Sequence, residues 1–212
     1  MKVLQHLLLL TAATVIISSC KKSSNDSGKS NPAVAQSYSN VSYGTDAAQK
    51  MDVFLPANRS TTSTKAMIII HGGAWSGGDK TDLNAFIDTL KRRMPDYAIF
   101  NINYRLATGT ANFFPTQEND VKAAIEFIYG KRSEYLISDK FVLNGQSAGG
   151  HLALLYAYKY TTPVKIKAVI DFFGPSDMVD LYNNPGLVPA ATIALIVGAT
   201  PISNATLYQQ SS

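Results

Sequence analysis

Four short runs in this chain are apolar at nearly every position: AMIII at 66–70, YAIFNIN at 97–103, KFVL at 140–143 and IKAVIDFF at 166–173. A strand with one face in water alternates polar and apolar residues, so unbroken runs of this length predict strands covered on both faces. The stretches between them carry a helical period instead. Leu83, Phe86, Ile87 and Leu90 share one face of a helix predicted over 79–94, and Val121, Ala124, Ile125 and Ile128 share one over 119–129. A third helix is predicted over 148–160. Strands alternating with helices imply right-handed crossovers, so the fold class is α/β, a mostly parallel sheet with flanking helices. An earlier, partly exposed strand is predicted over 48–55, ending at Pro56. Beyond Gly174-Pro175 the pattern weakens. A helix over the sheet is expected at 187–197, the polar residues 203–212 are expected to add no closing strand or helix, and the strand around Val169 is left as an edge.

The N-terminal residues belong to a different regime. Met1-Lys2 precede an apolar stretch over 3–17, and small residues then lead into Cys20, a pattern that predicts a secretory signal over 1–20. The apolar stretch is shorter than the ~20 residues of a membrane span. ISSC at 17–20 resembles a bacterial lipobox, so Cys20 is the expected lipidation site. It is the only cysteine, which excludes an internal disulfide. Residues 21–37 are almost devoid of apolar side chains and predict a flexible tether. SGKS at 27–30 lacks the preceding strand and the second glycine of a phosphate loop. The protein is therefore expected to be exported and lipid-anchored, facing the periplasm or the cell surface; Lys21 after the cysteine resembles lipoproteins that move on to an outer membrane.

The formal charge of +4 arises largely from this leader. Residues 1–37 hold four of the 19 basic residues and one of the 15 acidic residues, which leaves 15 basic and 14 acidic over 38–212. A nearly neutral domain gives no electrostatic case for nucleic acid as a partner. Its roughly 175 residues suffice for one domain with its own core.

Two motifs carry chemistry. GQSAG at 145–149 sits between a predicted strand and a predicted helix, the context of a nucleophile elbow. A turn that tight strains the serine, and its flanking glycines remove side chains that would collide with backbone. HGGAW at 71–75 also ends a strand, and its glycines let backbone amides approach a developing oxyanion.

HGGAW, NYRLA at 103–107 and GQSAGGH at 145–151 together resemble the α/β-hydrolase superfamily. They look most like its esterase/lipase branch, which includes hormone-sensitive-lipase-like carboxylesterases and kynurenine-formamidase-like enzymes. The resemblance spans roughly residues 52–177. It implies the α/β-hydrolase fold, with Ser147 as nucleophile and the amides of Gly73, Ala74 and Ala148 as oxyanion donors. It also implies an ion pair between Arg105 and Asp120, and no cofactor or metal. Trp75 either shapes an acyl pocket or covers the loop, His71 is expected to hold its own loop by hydrogen bonds, and Asp79 and Lys80 to shape the turn into the first helix.

Ser147 also needs a base held by a third group, and the superfamily order is Ser, then Asp or Glu, then His. The histidines are His6, His71 and His151. His6 lies in the signal, His71 precedes the nucleophile, and His151 follows it by one helical turn and precedes every downstream acid. Asp171, Asp177 and Asp180 are the acid candidates, and none matches the family position. The expectation is a hydrolase domain that lacks its C-terminal strands, catalytic acid and catalytic histidine. The competing expectation is a noncatalytic surface lipoprotein that keeps the pocket for ligand binding. The expected partner is an ester, either a small molecule or one linked to a polysaccharide.

Overall fold

A computed structural model describes residues 32–212. The predicted signal, Cys20 and most of the predicted tether lie outside the described residues. Six strands form one sheet: β1 (Gln36–Ser42), β2 (Lys50–Leu55), β3 (Lys65–Ile70), β4 (Tyr97–Ile102), β5 (Phe141–Gln146) and β6 (Ile166–Phe172), in the order β1-β2-β4-β3-β5-β6. β1 and β2 pair antiparallel, as do β2 and β4, and the β4-β3-β5-β6 part is parallel throughout.

The buried runs behave as their composition requires. Ala66, Ile68 and Ile70 of β3 enter one core, and Met67 and Ile69 enter the other. The smaller core is covered by α1 (Asn84–Arg93) through Ile87, with Leu83 from the preceding 3-10 turn (Lys80–Leu83). The larger core is closed by α2 (Thr116–Gly130) and α4 (Ala148–Lys159), with the short α3 (Arg132–Tyr135) between them in sequence. Asp79 caps the 3-10 turn by accepting from the Thr81 amide. Lys80 folds inward and donates to Asp52 at 2.8 Å, a buried ion pair that ties this turn to β2.

Three elements depart from expectation. β1 occupies the edge beyond β2 and begins at Gln36, inside the last two residues of the predicted tether. Its side chains are mostly exposed, so it carries no apolar signal and is ordered by pairing with β2. A short α5 (Met178–Asn183) follows β6, capped by Asp177, which accepts from the amides of Val179 and Asp180. α6 (Ala190–Val197) fills the helix expected at 187–197, but the polar tail also folds, as α7 (Ala205–Gln210). Asn204 caps α7 by accepting from Leu207 N at 3.0 Å, and Tyr208 and Ser211 are buried against the core. The expectation of a featureless tail is therefore corrected: a side-chain cap and one buried tyrosine suffice to order a six-residue helix that has no apolar period.

β6 lies at the sheet edge among the described residues. Most of its side chains are exposed, including Ile170 and Phe172.

Candidate active site

The elbow follows from steric necessity at two glycines. β5 ends at Gln146, and Ser147 adopts φ 51° and ψ −121° before α4 begins. A β-carbon on Gly145 would lie 2.1 Å from the Gly149 carbonyl oxygen, and one on Gly149 would lie 2.2 Å from that of Ile70. Only glycine lets the strand reverse this sharply and press against the end of β3. Ser147 itself is half-buried. Its amide donates to Phe172 O at 2.8 Å, which ties the elbow to the end of β6.

The loop after β3 arrives at the same point. A β-carbon on Gly72 would lie 2.9 Å from Gln146 O and 3.3 Å from Ser147 Cβ, so this backbone abuts the serine. Gly73 (φ 111°), Ala74 (φ 47°) and Trp75 (φ 55°) are successively left-handed, and the Gly73 carbonyl accepts from Ser76 N and Gly77 N. Amides in such a turn form an anion-binding concavity. Those of Gly73, Ala74 and Ala148 have no acceptor among the described residues. For Ala148 this follows from its place in the first turn of a helix.

His71 steadies this loop, as its sequence position suggested. Its Nδ1 donates to Gly72 O at 2.7 Å, and its ring stacks on Tyr104 with centroids 4.4 Å apart. The Tyr104 hydroxyl donates to His71 O at 3.0 Å. Burial lowers the His71 pKa from its ordinary value, which keeps the ring neutral.

His151 is fully engaged elsewhere. Trp75 Nε1 donates to its Nδ1 at 3.2 Å, so the ring proton sits on Nε2, which donates to Ser211 O at 2.7 Å. Both nitrogens are thus committed to groups other than Ser147. Burial, helped by the charge of Lys159, lowers the His151 pKa to about 4. Trp75 is buried edge-on against His151 and braces the loop from inside. This arrangement matches the second of its two expected roles, covering the loop. Sequence reasoning missed the Trp75–His151–Ser211 chain, because its members are 76 and 60 residues apart.

The remaining candidates are structural. Asp120 accepts from the Arg105 backbone amide at 2.9 Å, from its guanidinium at 2.6 Å and from Gln49 Nε2 at 2.7 Å, so the implied ion pair is present with a third partner. Asp171 Oδ1 accepts from Gly174 N, Asp177 caps α5, and Asp180 accepts from Asn184. None of the three is hydrogen-bonded to an imidazole. Among the described residues no cluster of three or more His, Cys, Asp or Glu side chains is placed to hold a metal ion.

A strand–elbow–helix serine beside a glycine-rich turn, on a mostly parallel sheet with flanking helices, defines the α/β-hydrolase class of esterases and lipases. Residues 51–212 match the BD-FAE family, and the chain belongs to it. It is similar to esterase LipC of Mycobacterium tuberculosis, 26% identical over 66% of this chain and 37% of that protein. It also resembles arylacetamide deacetylase of Oryctolagus cuniculus, 31% identical over 54% of this chain and 29% of that protein. The chain thus spans about a third of the length of these relatives. Among solved structures, a truncated form of a carbohydrate esterase from gut microbiota superposes with a TM-score of 0.71 at 26% identity, covering 87% of this chain and 73% of that one. A bifunctional GH43-CE protein of Bacteroides eggerthii gives 0.67 at 28% identity, covering 82% of this chain and 28% of that one.

Proposed function

We propose that the chain carries the nucleophile and oxyanion-binding part of a serine carboxylic ester hydrolase. The observation that carries this reading is the close approach of the Gly72 backbone to the strained Ser147 elbow, at the start of the left-handed Gly73–Ala74 turn. Ser147 Oγ attacks the ester carbonyl carbon and gives its proton to a base, while the carbonyl π pair moves onto oxygen. The amides of Gly73, Ala74 and Ala148 stabilise that oxyanion; removal of one such donor costs ~3–4 kcal/mol in the best-studied cases. Collapse of the intermediate expels the alcohol, which takes up the proton, and leaves an acyl-serine that water cleaves in a second round.

The base is neither His71 nor His151, since both rings are buried with their donor protons on backbone carbonyls. The 212-residue chain is therefore expected to turn over short aryl esters weakly, at the level an oxyanion hole and binding sustain without a full triad. The substrate class is a carboxylic ester, free or polysaccharide-linked, in keeping with the esterases and carbohydrate esterases it resembles. The domain is held to a membrane by lipid on Cys20.

The direct test is covalent. A p-nitrophenyl alkylphosphonate is expected to add its phosphonyl group to Ser147 slowly, in step with the weak turnover, read by intact mass and peptide mapping after long incubation, and Ser147→Ala is expected to stay unmodified. Absence of adduct, with ester ligands still bound, would favour the ligand-binding lipoprotein instead.

A further inference from the structure

The strand directions give the sheet two poles. β3, β4 and β5 run parallel, with Lys65 level with Tyr97 and Ala66 level with Phe141, so all three start at one end of the sheet and β5 delivers Ser147 at the other. The six residues of β5 separate the poles by ~20 Å. β1 is antiparallel to β2, and β2 to β4, so β1 also starts at the end opposite the elbow. The chain is strapped down where it enters there. Arg59, only 3% exposed, donates to Val34 O at 2.7 Å and to the Gln36 side chain, and its amide donates to Pro32 O at 3.3 Å. Residues 21–31 join Cys20 to this strap, a stretch that spans at most ~40 Å.

Charge is divided between the poles although the domain is nearly neutral overall. At the entry pole, α1 ends in Lys91, Arg92 and Arg93, which lead through Asp96 into β4. Lys65 opens β3, Lys131 and Arg132 follow α2, and Lys140 precedes β5. Tyr129, near the end of α2, packs on Phe141 and holds that helix end at the same pole. These seven cations face four acids, Asp88, Asp96, Glu134 and Asp139. Three of the acids pair with Lys91, Lys65 and Lys131, while the exposed Arg92, Arg93 and Lys140 have no ion-pair partner among the described residues. Cations in the last turn of a helix answer its dipole, which accounts for Arg92 and Arg93 but not for Lys65 or Lys140, which stand at strand starts. The elbow pole is the reverse: Asp46, Asp79, Asp82, Asp171, Asp177 and Asp180 stand against Lys50, once the pairs of Asp52 with Lys80 and Asp120 with Arg105 are set aside. A cleft of about 630 Å³ opens at the entry pole on the β1-β2-β4 side of the sheet, away from the β6 edge. Phe54 and Tyr97 line it, and the ammonium groups of Lys91 and Lys65 stand 4.8 Å over their ring centres.

We infer that the pole opposite the elbow is a docking surface for the headgroups of an anionic phospholipid bilayer. This rests on the reading of Cys20 as a lipid anchor, and the anchor is what favours a bilayer over other polyanions. Residues 21–31 start at that cysteine, add three lysines and one aspartate, and end at the strap on this pole. Lipid together with a basic surface is a two-signal arrangement for stable anchoring, and each cation close to an anionic surface strengthens it about fivefold. The consequence for the site is direction. A domain seated on its basic pole turns Ser147 outward, ~20 Å beyond the docked face. Its esters then arrive from the aqueous side, dissolved or carried on polysaccharide, and lipid esters of the same bilayer are out of reach.

The test uses the full chain with its lipid, reconstituted in vesicles of phosphatidylcholine alone or mixed with phosphatidylglycerol. Lysines are acetylated with a water-soluble reagent and mapped by mass spectrometry. Lys91 and Lys140 are expected to react about fivefold more slowly on the phosphatidylglycerol vesicles and to recover in high salt, whereas Lys50 at the elbow pole reacts equally on both. Arg92→Gln, Arg93→Gln and Lys140→Gln together are expected to remove the protection of Lys91 and to leave the melting temperature unchanged, because all three side chains are exposed and without ion-pair partners. Equal reactivity of Lys91 and Lys140 on the two kinds of vesicle, protection of Lys50 in their place, or protection that salt does not relieve would each overturn the assignment. So would protection of the same lysines by soluble polygalacturonate with none on the bilayer, which would give the pole to an anionic polysaccharide. Intact mass reads the lipid on Cys20 separately, and protein that lacks it yet is still protected on phosphatidylglycerol would sink the anchor reading alone.

Discussion

His151 offers the sharpest separation between a catalytic and an architectural role. It sits one turn from Ser147, yet it accepts from Trp75 Nε1 and donates to Ser211 O. His151→Leu strands a buried N–H and a buried carbonyl, at ~1–3 kcal/mol each, so a loss of ~2–6 kcal/mol is expected. His151→Gln keeps an acceptor and a donor at similar reach and is expected to recover much of that loss. Titration supplies a second, independent signature. The imidazole pKa falls from 6.5 unfolded to about 4 folded, chiefly through burial. The unfolded chain therefore binds more protons between those values. The stabilisation is complete above the unfolded pKa, declines as pH falls through the window between the two, and is gone below the folded value. Its size is on the order of 3 kcal/mol. His71, also lowered, slopes the same way, so the wild type must be compared with a variant that lacks only His151. Asp79 is held at about 2 because hydrogen bonds from Thr81 and Asn103 and the charge of Lys80 outweigh its burial, so its contribution is lost only at lower pH. The assay is urea unfolding of wild type and His151→Gln at about pH 7.5 and about pH 4.5, with Ser147 phosphonylation measured alongside. Wild type is expected to lose ~2–3 kcal/mol more than the variant over that interval. Equal slopes would refute the burial argument, and a stable His151→Gln that no longer labels at Ser147 would make His151 the base after all.

Gly149→Ala is expected to abolish Ser147 labelling and to cost ~1–3 kcal/mol or more, because the new methyl meets the Ile70 and His71 carbonyls at 2.2 and 2.5 Å; wild-type labelling would contradict the elbow geometry. Asp120→Ala leaves the Arg105 amide and guanidinium and Gln49 Nε2 without their shared acceptor, so chemical denaturation is expected to show a loss of ~3 kcal/mol, the low end for a broken buried pair since Arg105 is partly exposed. Cys20→Ala is expected to release the protein from the membrane fraction and to end fatty-acid labelling; unchanged fractionation would remove the lipid-anchor proposal.

How much of this was legible depends on how far apart the cooperating residues lie. β3, β4 and β5 announced themselves because each is buried on both faces, and composition alone records that. The glycines of GQSAG and HGGAW were legible for a similar reason, since each avoids a collision within a few residues or with the adjoining strand end. β1 was hidden, because a half-exposed QSYSNVS becomes a strand only through its partner. α7 was hidden as well, since its order comes from the Asn204 cap and from the burial of Tyr208.

His151 shows the limit most clearly. Residues four apart on a helix share a face, so spacing alone sets His151 beside Ser147. Ser147 is the N-cap of α4: its carbonyl still accepts from His151 N at 3.1 Å, but its φ 51° and ψ −121° are not helical, so the spacing does not fix where its side chain stands. The two residues are joined through the backbone, while both nitrogens of the imidazole are bonded to other groups. That imidazole accepts from Trp75 and donates to the carbonyl after α7. Neither the strained backbone of the proposed nucleophile nor the bonds of its neighbour follow from the identity of residues 147 and 151 alone.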